Sequence, residues 1–294
     1  MNLNKLRILS DLLRINNWTK NVLILFPCFF GKKITNFSLL FEVLIAAGIF
    51  CLLSSCVYII NDLVDAPDDR NHPTKRYRPI AAKEIRPLTA IIILCLLLST
   101  TVCLSLLYLS NYAIGLLCVY LAFNLLYSFF LKNILIIDIF SIAIFFEIRL
   151  FFGGIISGIA LSHWLVLTVF FLASLIALGK RRDDVLLKES SQLNTRATAK
   201  YYSVIFLDAM IVITSSLLVF IYIVYSVSDW VVQNFSSNFY LSDIFVILGL
   251  SKYLYILFVE KKSGNPIKLL FSDAFLLICL LLWFVSIFYF IYYA

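Results

Sequence analysis

Long apolar segments recur along the whole chain, and they constrain its fold more than any other feature. An α-helix needs about 20 apolar residues to cross the roughly 30 Å hydrocarbon core of a bilayer. Nine segments meet or approach that length: 18–34, 39–60, 88–109, 112–131, 134–161, 164–179, 201–227, 241–259 and 269–294. The first is the weakest, because Pro27 interrupts it and Lys20 flanks it. The sequence therefore predicts an all-α integral membrane protein with about nine transmembrane helices, in a single domain over residues 1–294.

The composition excludes other classes of protein. Hydrophobic residues make up 62% of the chain and charged residues 14%, against roughly 45–50% and 25% in soluble proteins. Nine Gly and six Pro are too few for a collagen-like or disordered chain. The seven Cys lie in apolar runs without a C-x-x-C pair, so we expect no role for them in metal or redox chemistry.

The placement of the basic residues indicates orientation. A net charge of +7 would suggest nucleic acid for a soluble protein. With a cytoplasmic N-terminus, however, 20 of the 24 Lys and Arg fall in inside segments and two in outside loops, as the positive-inside rule requires. We therefore expect a multi-pass protein of the cytoplasmic membrane with its polar cavity facing the cytoplasm, and no nucleic-acid partner. The inside segments are 1–20, 61–87, 132–133, 180–200 and 260–268.

An acidic cluster stands at the inside end of the second predicted span. Asn61, Asp62, Asp65 and Asp69 supply hard oxygen ligands of the kind that Mg²⁺ prefers, and Mg²⁺ is commonly shared with phosphate groups. On a helix, Asn61 and Asp65 share one face. Pro67 predicts a break in that helix. We expect these four residues to bind Mg²⁺ on a diphosphate and to act as the catalytic group.

Basic residues follow the acidic cluster directly. Arg70, Lys75 and Arg78 are suited to pairing with phosphate oxygens that a metal does not reach. We expect all three to bind substrate. A bland alternative is a solvated loop that only marks the cytoplasmic side of the membrane.

These patterns resemble the UbiA-type prenyltransferase superfamily. N61-D-L-V-D65-A-P-D-D69-R70-N-H72-P-T-K75-R-Y-R78-P-I-A is similar to its first aspartate-rich motif, and most of all to the decaprenyl-phosphate phosphoribosyltransferase branch. R14-I-N-N-W18-T-K20-N21 resembles the family's opening R-P-x-x-W-x-K-N, although Ile15 replaces Pro. Further matches are L-Y127-S-F-F-L-K132 with Asp138, E147-I-R149 with Gly153-Gly154, and L-G179-K180-R181-R182. The resemblance implies a UbiA-like helical bundle and Mg²⁺ as cofactor.

One motif departs from the family pattern. Members that transfer prenyl groups resemble one another in a second aspartate cluster that holds a second Mg²⁺. The matching stretch here contains Lys132 and Asp138 after Tyr127. A lysine is poorly suited to a metal but suited to a phosphate. The departure favours a donor with one metal-bound diphosphate and a separate phosphate, and we expect Tyr127, Lys132 and Asp138 to bind substrate, with Asp138 orienting Lys132 or a sugar hydroxyl.

Other charged residues lie in or beside the spans, where each needs a partner or a wet cavity. We expect Lys20 near the lipid phosphate, and Arg149 in the wall of the phosphate cavity. Lys252 and Asp208 are candidates for a structural pair between helices. The remaining candidate substrate-binding residues are Tyr58, Lys180, Arg181 and Arg182.

The resemblance implies transfer of 5-phosphoribose from 5-phosphoribosyl 1-diphosphate to a polyprenyl phosphate, with release of diphosphate, in the biosynthesis of a cell-envelope glycan. Two alternatives stay open. One is a transferase of polyprenyl diphosphate onto an aromatic acceptor; the other is a membrane transporter or lipid-phosphate carrier without enzymatic activity. The sequence leaves the oligomeric state open and is compatible with a homo-oligomer.

Overall fold

The structure is a computed structural model, and it describes residues 3–70, 74–191, 201–261, 269–270 and 272–294. These residues form helices and short connections, with no β-strand among them, so the predicted all-α class is confirmed. His72, part of the acidic motif, lies outside the described residues.

The α-helices are numbered in chain order. They are α1 Leu3–Leu13, α2 Phe26–Phe30, α3 Phe37–Asp69, α4 Pro87–Tyr108, α5 Asn111–Phe129, α6 Ile137–Ser157, α7 His163–Ser191, α8 Val204–Ser226, α9 Asp229–Asn234, α10 Asp243–Tyr255 and α11 Ala274–Tyr292. Short 3₁₀-helices lie at Lys75–Tyr77, Leu131–Asn133 and Phe239–Ser242, and a long one at Ile15–Leu25. A π-helical turn, Ile256–Glu260, continues α10.

Eight helices of the described chain are long and apolar enough to cross a membrane, which makes this a multi-pass membrane protein. The segment predicted as the first span differs. It forms the 3₁₀-helix Ile15–Leu25 followed by the five residues of α2. Pro27 near the start of α2 removes a backbone donor, and the polar residues before it shorten the apolar core.

Helix α3 also differs from expectation. It runs unbroken to Asp69 with Pro67 inside it, so the predicted break at Pro67 is wrong. Proline this close to the C-terminus of a helix removes one hydrogen bond in the last turn, where few further bonds depend on it. All members of the acidic cluster therefore stand on one continuous helix.

The chain divides into two compact units. The described residues of the first lie within Met1–Ile134 and Ile148–Leu161, and those of the second within Leu135–Glu147, Ser162–Gln192 and Arg196–Ala294. The single transferase domain over residues 1–294 stays a prediction.

In the first unit, the 3₁₀-helix Ile15–Leu25 runs antiparallel to α3. Trp18 Nε1 donates to Ser55 Oγ (3.0 Å), and Asn21 Nδ2 lies 3.1 Å from Cys51 Sγ. Ser55 Oγ also donates to the carbonyl of Leu13 (2.9 Å). These bonds fix the N-terminal segment along the helix that carries the acidic cluster.

In the second unit, α7 and α8 form the main helix pair. Its buried core contains Leu175, Leu178, Leu207, Ile211 and Leu257. Lipid tails are as apolar as these side chains, so the packing of the two membrane-spanning helices is stabilised by close van der Waals contact. This packing fixes the end of α7, where the basic residues Lys180, Arg181 and Arg182 lie.

Candidate functional site

Asn61, Asp65 and Asp69 lie at intervals of four residues on α3. Side chains four apart on a helix lie on one face, so the three oxygen-bearing groups form a row at its C-terminal end. Asn61 Oδ1 accepts a hydrogen bond from Ser128 Oγ on α5. The sequence predicted the shared face of Asn61 and Asp65, and the unbroken helix adds Asp69, which the break expected at Pro67 would have placed on a separate piece.

Lys132 pairs with Asp65, the middle member of this row. Its Nζ is 2.8 Å from Asp65 Oδ1, and the two side chains are 24% and 33% exposed. Ion pairs with this much exposure contribute roughly 0–1 kcal/mol, so a ligand can separate them at little cost. The lysine that replaces the family's second acidic cluster therefore faces the first.

Asp62 is almost fully buried, with 1% of its surface exposed, and Asp69 is buried to nearly the same extent at 3%. Asp62 Oδ1 accepts from Arg14 Nη2 and lies 3.2 Å from Arg78 Nη1. Its Oδ2 is buried and has no hydrogen-bond partner among the described residues. Arg78 Nη1 also donates to Asp69 Oδ2 at 2.5 Å. Two guanidinium groups therefore converge on the buried carboxylate of Asp62.

Arg14 lies beside the acidic row and pairs with Asp62. It belongs to the R14-I-N-N-W18 motif but not to the residues predicted to bind substrate. Its guanidinium carbon lies 4.9 Å from the centre of the Tyr58 ring, a distance typical of a cation–π contact. Its backbone has φ 49° and ψ 49°, in the left-handed region, which is uncommon for residues other than glycine. The sequence signal was an arginine four residues before Trp18.

A second basic group lies deeper in the first unit. Buried Arg149 donates from Nε to Asn21 Oδ1 (2.7 Å) and from Nη2 to the Tyr120 hydroxyl (3.1 Å). Lys20, beside Asn21, is half-buried. Burial lowers the pKa of the Lys20 ammonium to about 8, and the positive charges of Arg149 and Arg14 act in the same direction. An anion bound beside Lys20 would favour its charged form and so oppose this shift.

The acidic row fits a metal that is shared with phosphate. Among the residues that the structure describes, no three Asp, Glu, His or Cys side chains are close enough to hold a metal ion. Mg²⁺ is usually bound by one or two carboxylates, with water and substrate phosphates completing its coordination. Asp65 with Asn61 or Asp69 offers such a set. The residues therefore fit this Mg²⁺ and do not fit a metal enclosed by protein.

In the second unit, Asp138 lies in a buried network. Its Oδ2 accepts from Arg181 Nε (2.5 Å) and its Oδ1 from the Tyr202 hydroxyl (2.7 Å). Asp138 and Arg181 are 0% and 1% exposed. Arg181 Nη1 also lies 2.9 Å from Asp184. Both oxygens of Asp138 are thus occupied by α7 and the segment before α8, while Lys132 pairs with Asp65, in place of the expected Asp138–Lys132 contact.

Arg182 is held in a similar way. Its Nε donates to Asp208 Oδ1 on α8 (2.5 Å) and its Nη1 to the carbonyl of Leu257 in the π-helical turn (2.9 Å). The predicted pair of Asp208 with Lys252 is wrong, because Lys252 Nζ instead lies 3.2 Å from Glu260 and 3.4 Å from Asp273. The arginine is closer in space to Asp208 because α7 and α8 pack antiparallel.

The other predicted residues lie nearer the surface. Arg70 follows the last residue of α3 and is exposed, and Lys180 on α7 is exposed. Lys75 begins the short 3₁₀-helix after the acidic row and Tyr127 lies on α5; both are partly buried.

Comparison with known proteins supports these observations. The family model for the UbiA prenyltransferase family matches residues 23–277. An uncharacterized protein, y4nM, of Sinorhizobium fredii is 38% identical over 184 residues, 62% of this chain and 35% of that protein. The decaprenyl-phosphate phosphoribosyltransferase of Corynebacterium glutamicum is 36% identical over 65% of this chain and 58% of its own length. That of Mycobacterium tuberculosis (strain H37Rv) is 31% identical over 71% and 70%. The chain thus spans 35% and 58% of the first two relatives.

Solved structures share the fold. A UbiA homolog from Archaeoglobus fulgidus bound to GPP and Mg²⁺ has a TM-score of 0.69 at 18% identity, over 96% of this chain and 98% of that one. A structure of a UbiA homolog from the same organism bound to DMAPP and Mg²⁺ has the same TM-score at 17% identity, over 97% and 99%. These TM-scores show a common helical fold, and at identities this low they show the fold alone.

Proposed function

The chain belongs to the UbiA prenyltransferase family, and from this premise we propose that it is a membrane phosphoribosyltransferase. It transfers 5-phosphoribose from 5-phosphoribosyl 1-diphosphate to a polyprenyl phosphate and releases diphosphate. The contact between Lys132 Nζ and Asp65 Oδ1, 2.8 Å long, carries this proposal, because a phosphate-binding lysine faces the acidic row. The names of the relatives from C. glutamicum and M. tuberculosis support the same substrates.

The acidic row binds the leaving group in this proposal. Asn61, Asp65 and Asp69 would hold Mg²⁺, and the ion would stabilise the negative charge on the oxygens of the leaving diphosphate. Asp62, expected as a fourth ligand, is buried beside the row and pairs with Arg14 and Arg78. The family's structural relatives contain Mg²⁺, which supports dependence on a divalent metal.

The cations around the row change partners when the donor binds. Lys132 leaves Asp65 and Arg78 leaves Asp69, and both pair with phosphate oxygens. Asp65 and Asp69 would then be available as ligands for Mg²⁺. Arg70 and Lys75 extend the basic surface toward the donor's phosphates, while Tyr58 and Tyr127 line the site. A role of Lys180 in substrate binding stays a prediction. Stabilising the charge of the departing diphosphate is the main catalytic task of such a transfer.

The acceptor phosphate binds at Lys20 and Arg149. Arg149 donates to Asn21, the neighbour of Lys20, and its positive charge lowers the pKa of the Lys20 ammonium, so an anion bound there favours the charged form of the lysine. A lipid phosphate is already anionic and needs no general base. One of its oxygens forms a bond to C1 of the ribose as the bond from C1 to the diphosphate oxygen breaks. The electron pair leaves with diphosphate, and attack from the opposite face inverts the configuration at C1.

Arg181 and Arg182 receive a different role from the one expected. Because acidic side chains hold both guanidinium groups, we propose that they anchor the end of α7 and that Asp138 serves the same network. The distribution of Lys and Arg supports a cytoplasmic N-terminus and a site on the cytoplasmic face of the inner membrane.

Incubation of the purified protein with labelled phosphoribosyl diphosphate, decaprenyl phosphate and Mg²⁺ tests the proposal. We expect a labelled lipid whose mass equals polyprenyl phosphate plus phosphoribose, and loss of this product in Asp65→Asn. Asp68→Asn, at an exposed position on the same helix, is the matched control. Transfer only from a prenyl diphosphate to an aromatic acid would replace this function with the first alternative. Product formation unaffected by Asp65→Asn, or no chemistry with either pair, would overturn the proposal.

A further inference from the structure

Asp62 differs from the members of the acidic row because two arginines, Arg14 and Arg78, pair with it. Its Oδ1 is shared by both guanidinium groups. A buried carboxylate between two guanidinium groups is a charge partner that fixes both of them.

The segment around Arg14 is fixed from several sides. The Leu13 carbonyl accepts from Ser55, and Trp18 donates to the same hydroxyl. Between these anchors, Arg14 adopts a left-handed backbone with φ 49°. A residue other than glycine costs about 1 kcal/mol or more in this region, and such conformations persist where surrounding contacts enforce them. The reversal ends α1 and directs the arginine toward α3.

The Arg14 guanidinium is oriented but not enclosed. Its side chain is 21% exposed and that of Arg78 is 25% exposed. Arginine has five N–H donors in a planar fork, and the contact to Asp62 involves Nη2 of Arg14. The Tyr58 ring supports the guanidinium by a cation–π contact. Each of the two guanidinium groups on this carboxylate oxygen has further N–H donors, and a guanidinium can bind a phosphate through two parallel hydrogen bonds.

We propose that Arg14 and Arg78 form a phosphate clamp, and that Asp62 is the positioning residue which holds it. The clamp binds a phosphate group of a substrate, and Arg14 contacts that substrate directly. The identity of the donor rests on the function proposed above. The clamp itself rests on Asp62, Tyr58 and the backbone of Arg14.

Steady-state kinetics of the full-length protein in nanodiscs test this assignment. The variants are Asp62→Asn, Arg14→Gln, Arg14→Lys and Asp65→Asn, with Arg7→Gln as control, because Arg7 is a highly exposed residue of α1. We expect Asp62→Asn and Arg14→Gln each to raise the KM for phosphoribosyl diphosphate at least tenfold, with the Mg²⁺ half-saturation unchanged within twofold. Asp65→Asn is expected to raise that half-saturation. Arg14→Lys should recover less than a third of the loss, because lysine lacks the fork.

The double variant Arg14→Gln with Asp62→Asn measures the coupling. If Asp62 acts through Arg14, the KM of the double variant for phosphoribosyl diphosphate lies within threefold of that of the more impaired single variant. A change in Mg²⁺ half-saturation in Asp62→Asn as large as that in Asp65→Asn would assign Asp62 to the metal and overturn the inference. Unchanged KM values for both the donor and the lipid in Arg14→Gln would also overturn it, whereas a raised KM for the lipid alone would assign the clamp to the acceptor phosphate.

A binding measurement keeps this inference separate from the proposed function. Inorganic diphosphate without Mg²⁺ should raise the Tm of the wild-type protein and of Asp65→Asn, and this shift should vanish in Arg14→Gln. If the wild-type protein transfers no phosphoribose but this pattern holds, the proposed function fails and the clamp stands. If the transfer occurs and the shift persists in Arg14→Gln, the clamp fails alone.

Discussion

Gly153 on α6 lies directly against the carbonyl group of Ile24: a β-carbon at this glycine would be 2.2 Å from that oxygen. Real Cβ atoms do not approach backbone this closely. The close approach brings the 3₁₀-helix Ile15–Leu25 against the helix that carries Arg149, and so brings Lys20 and Asn21 beside Arg149.

We therefore expect Gly153→Ala to push these two segments apart. The Tm should fall by several degrees, and the KM for polyprenyl phosphate should rise more than the KM for the donor. Gly115→Ala is the matched control, because a β-carbon there meets nothing within 4 Å. A Gly153→Ala protein with unchanged Tm and unchanged acceptor KM would contradict the role of this contact.

Removal of the Lys132 ammonium should weaken donor binding and strengthen Mg²⁺ binding. In Lys132→Gln, Asp65 loses its cation and becomes a better ligand for Mg²⁺. We expect the Mg²⁺ half-saturation to fall by twofold or more while the donor KM rises about tenfold, the amount expected for one charge-assisted hydrogen bond of about 1.5 kcal/mol. Titration of both ligands at fixed enzyme checks this. If the two constants rise together, the lysine has another role.

Lys20 predicts a pH dependence. Its pKa of about 8 in the folded protein means that the ammonium loses its charge as the pH rises through 8, so the KM for polyprenyl phosphate should increase there. Lys20→Arg should remove this increase, because arginine stays protonated. A parallel profile in wild type and Lys20→Arg would exclude Lys20 as its source.

The lowered pKa of Lys20 also affects stability: it makes the free energy of unfolding increase with pH. The lysine has a pKa of 10.5 as its reference value, so the unfolded chain binds more protons between pH 8 and 10.5. Stability from this group therefore rises with pH across that window. Tm measured between pH 7.5 and 10 in wild type and Lys20→Gln should show this contribution as a difference in slope.

Asp208→Asn should test whether Arg182 is an anchor. The substitution leaves a buried guanidinium with the Leu257 carbonyl and a neutral amide. Breaking a fully buried pair costs about 3–5 kcal/mol, and the one-third exposure of Asp208 places the expected loss at or below the lower end. Tm should fall without a change in donor KM. An increase in donor KM at unchanged Tm would return Arg182 to the substrate site.

The sequence was sufficient for the membrane class, the family resemblance and the shared helix face of Asn61 and Asp65, while the expected break at Pro67 hid the place of Asp69 on the same helix. Apolar run length depends on bilayer thickness, and the four-residue spacing of Asn61, Asp65 and Asp69 depends on helix geometry. Both are local properties of the chain. The family match over residues 23–277 and the eight spans of the described chain confirm the first two.

Long-range pairing was beyond the sequence. Which acid holds which cation depends on how helices pack, so Arg182 pairs with Asp208 and Lys252 with Glu260 and Asp273. The role of Asp62 could not be separated from that of Asp65 in the sequence. The rotation of α3 about its axis decides which of these two carboxylates, three residues apart, is enclosed. Arg14 was missed for a related reason: its reach to Asp62 depends on a left-handed backbone that no local rule predicts.

The ion pairs along α3 have a consequence for turnover. Lys132 and Arg78 supply the carboxylates of Asp65 and Asp69 with counterions before any substrate arrives. In the proposed reaction, departure of diphosphate lets these pairs re-form, and their re-formation offsets part of the energy that held the product. A site with the same cations and no acids would bind diphosphate more tightly and release it more slowly. The protein is therefore expected to show weak product inhibition, at the expense of affinity for its donor.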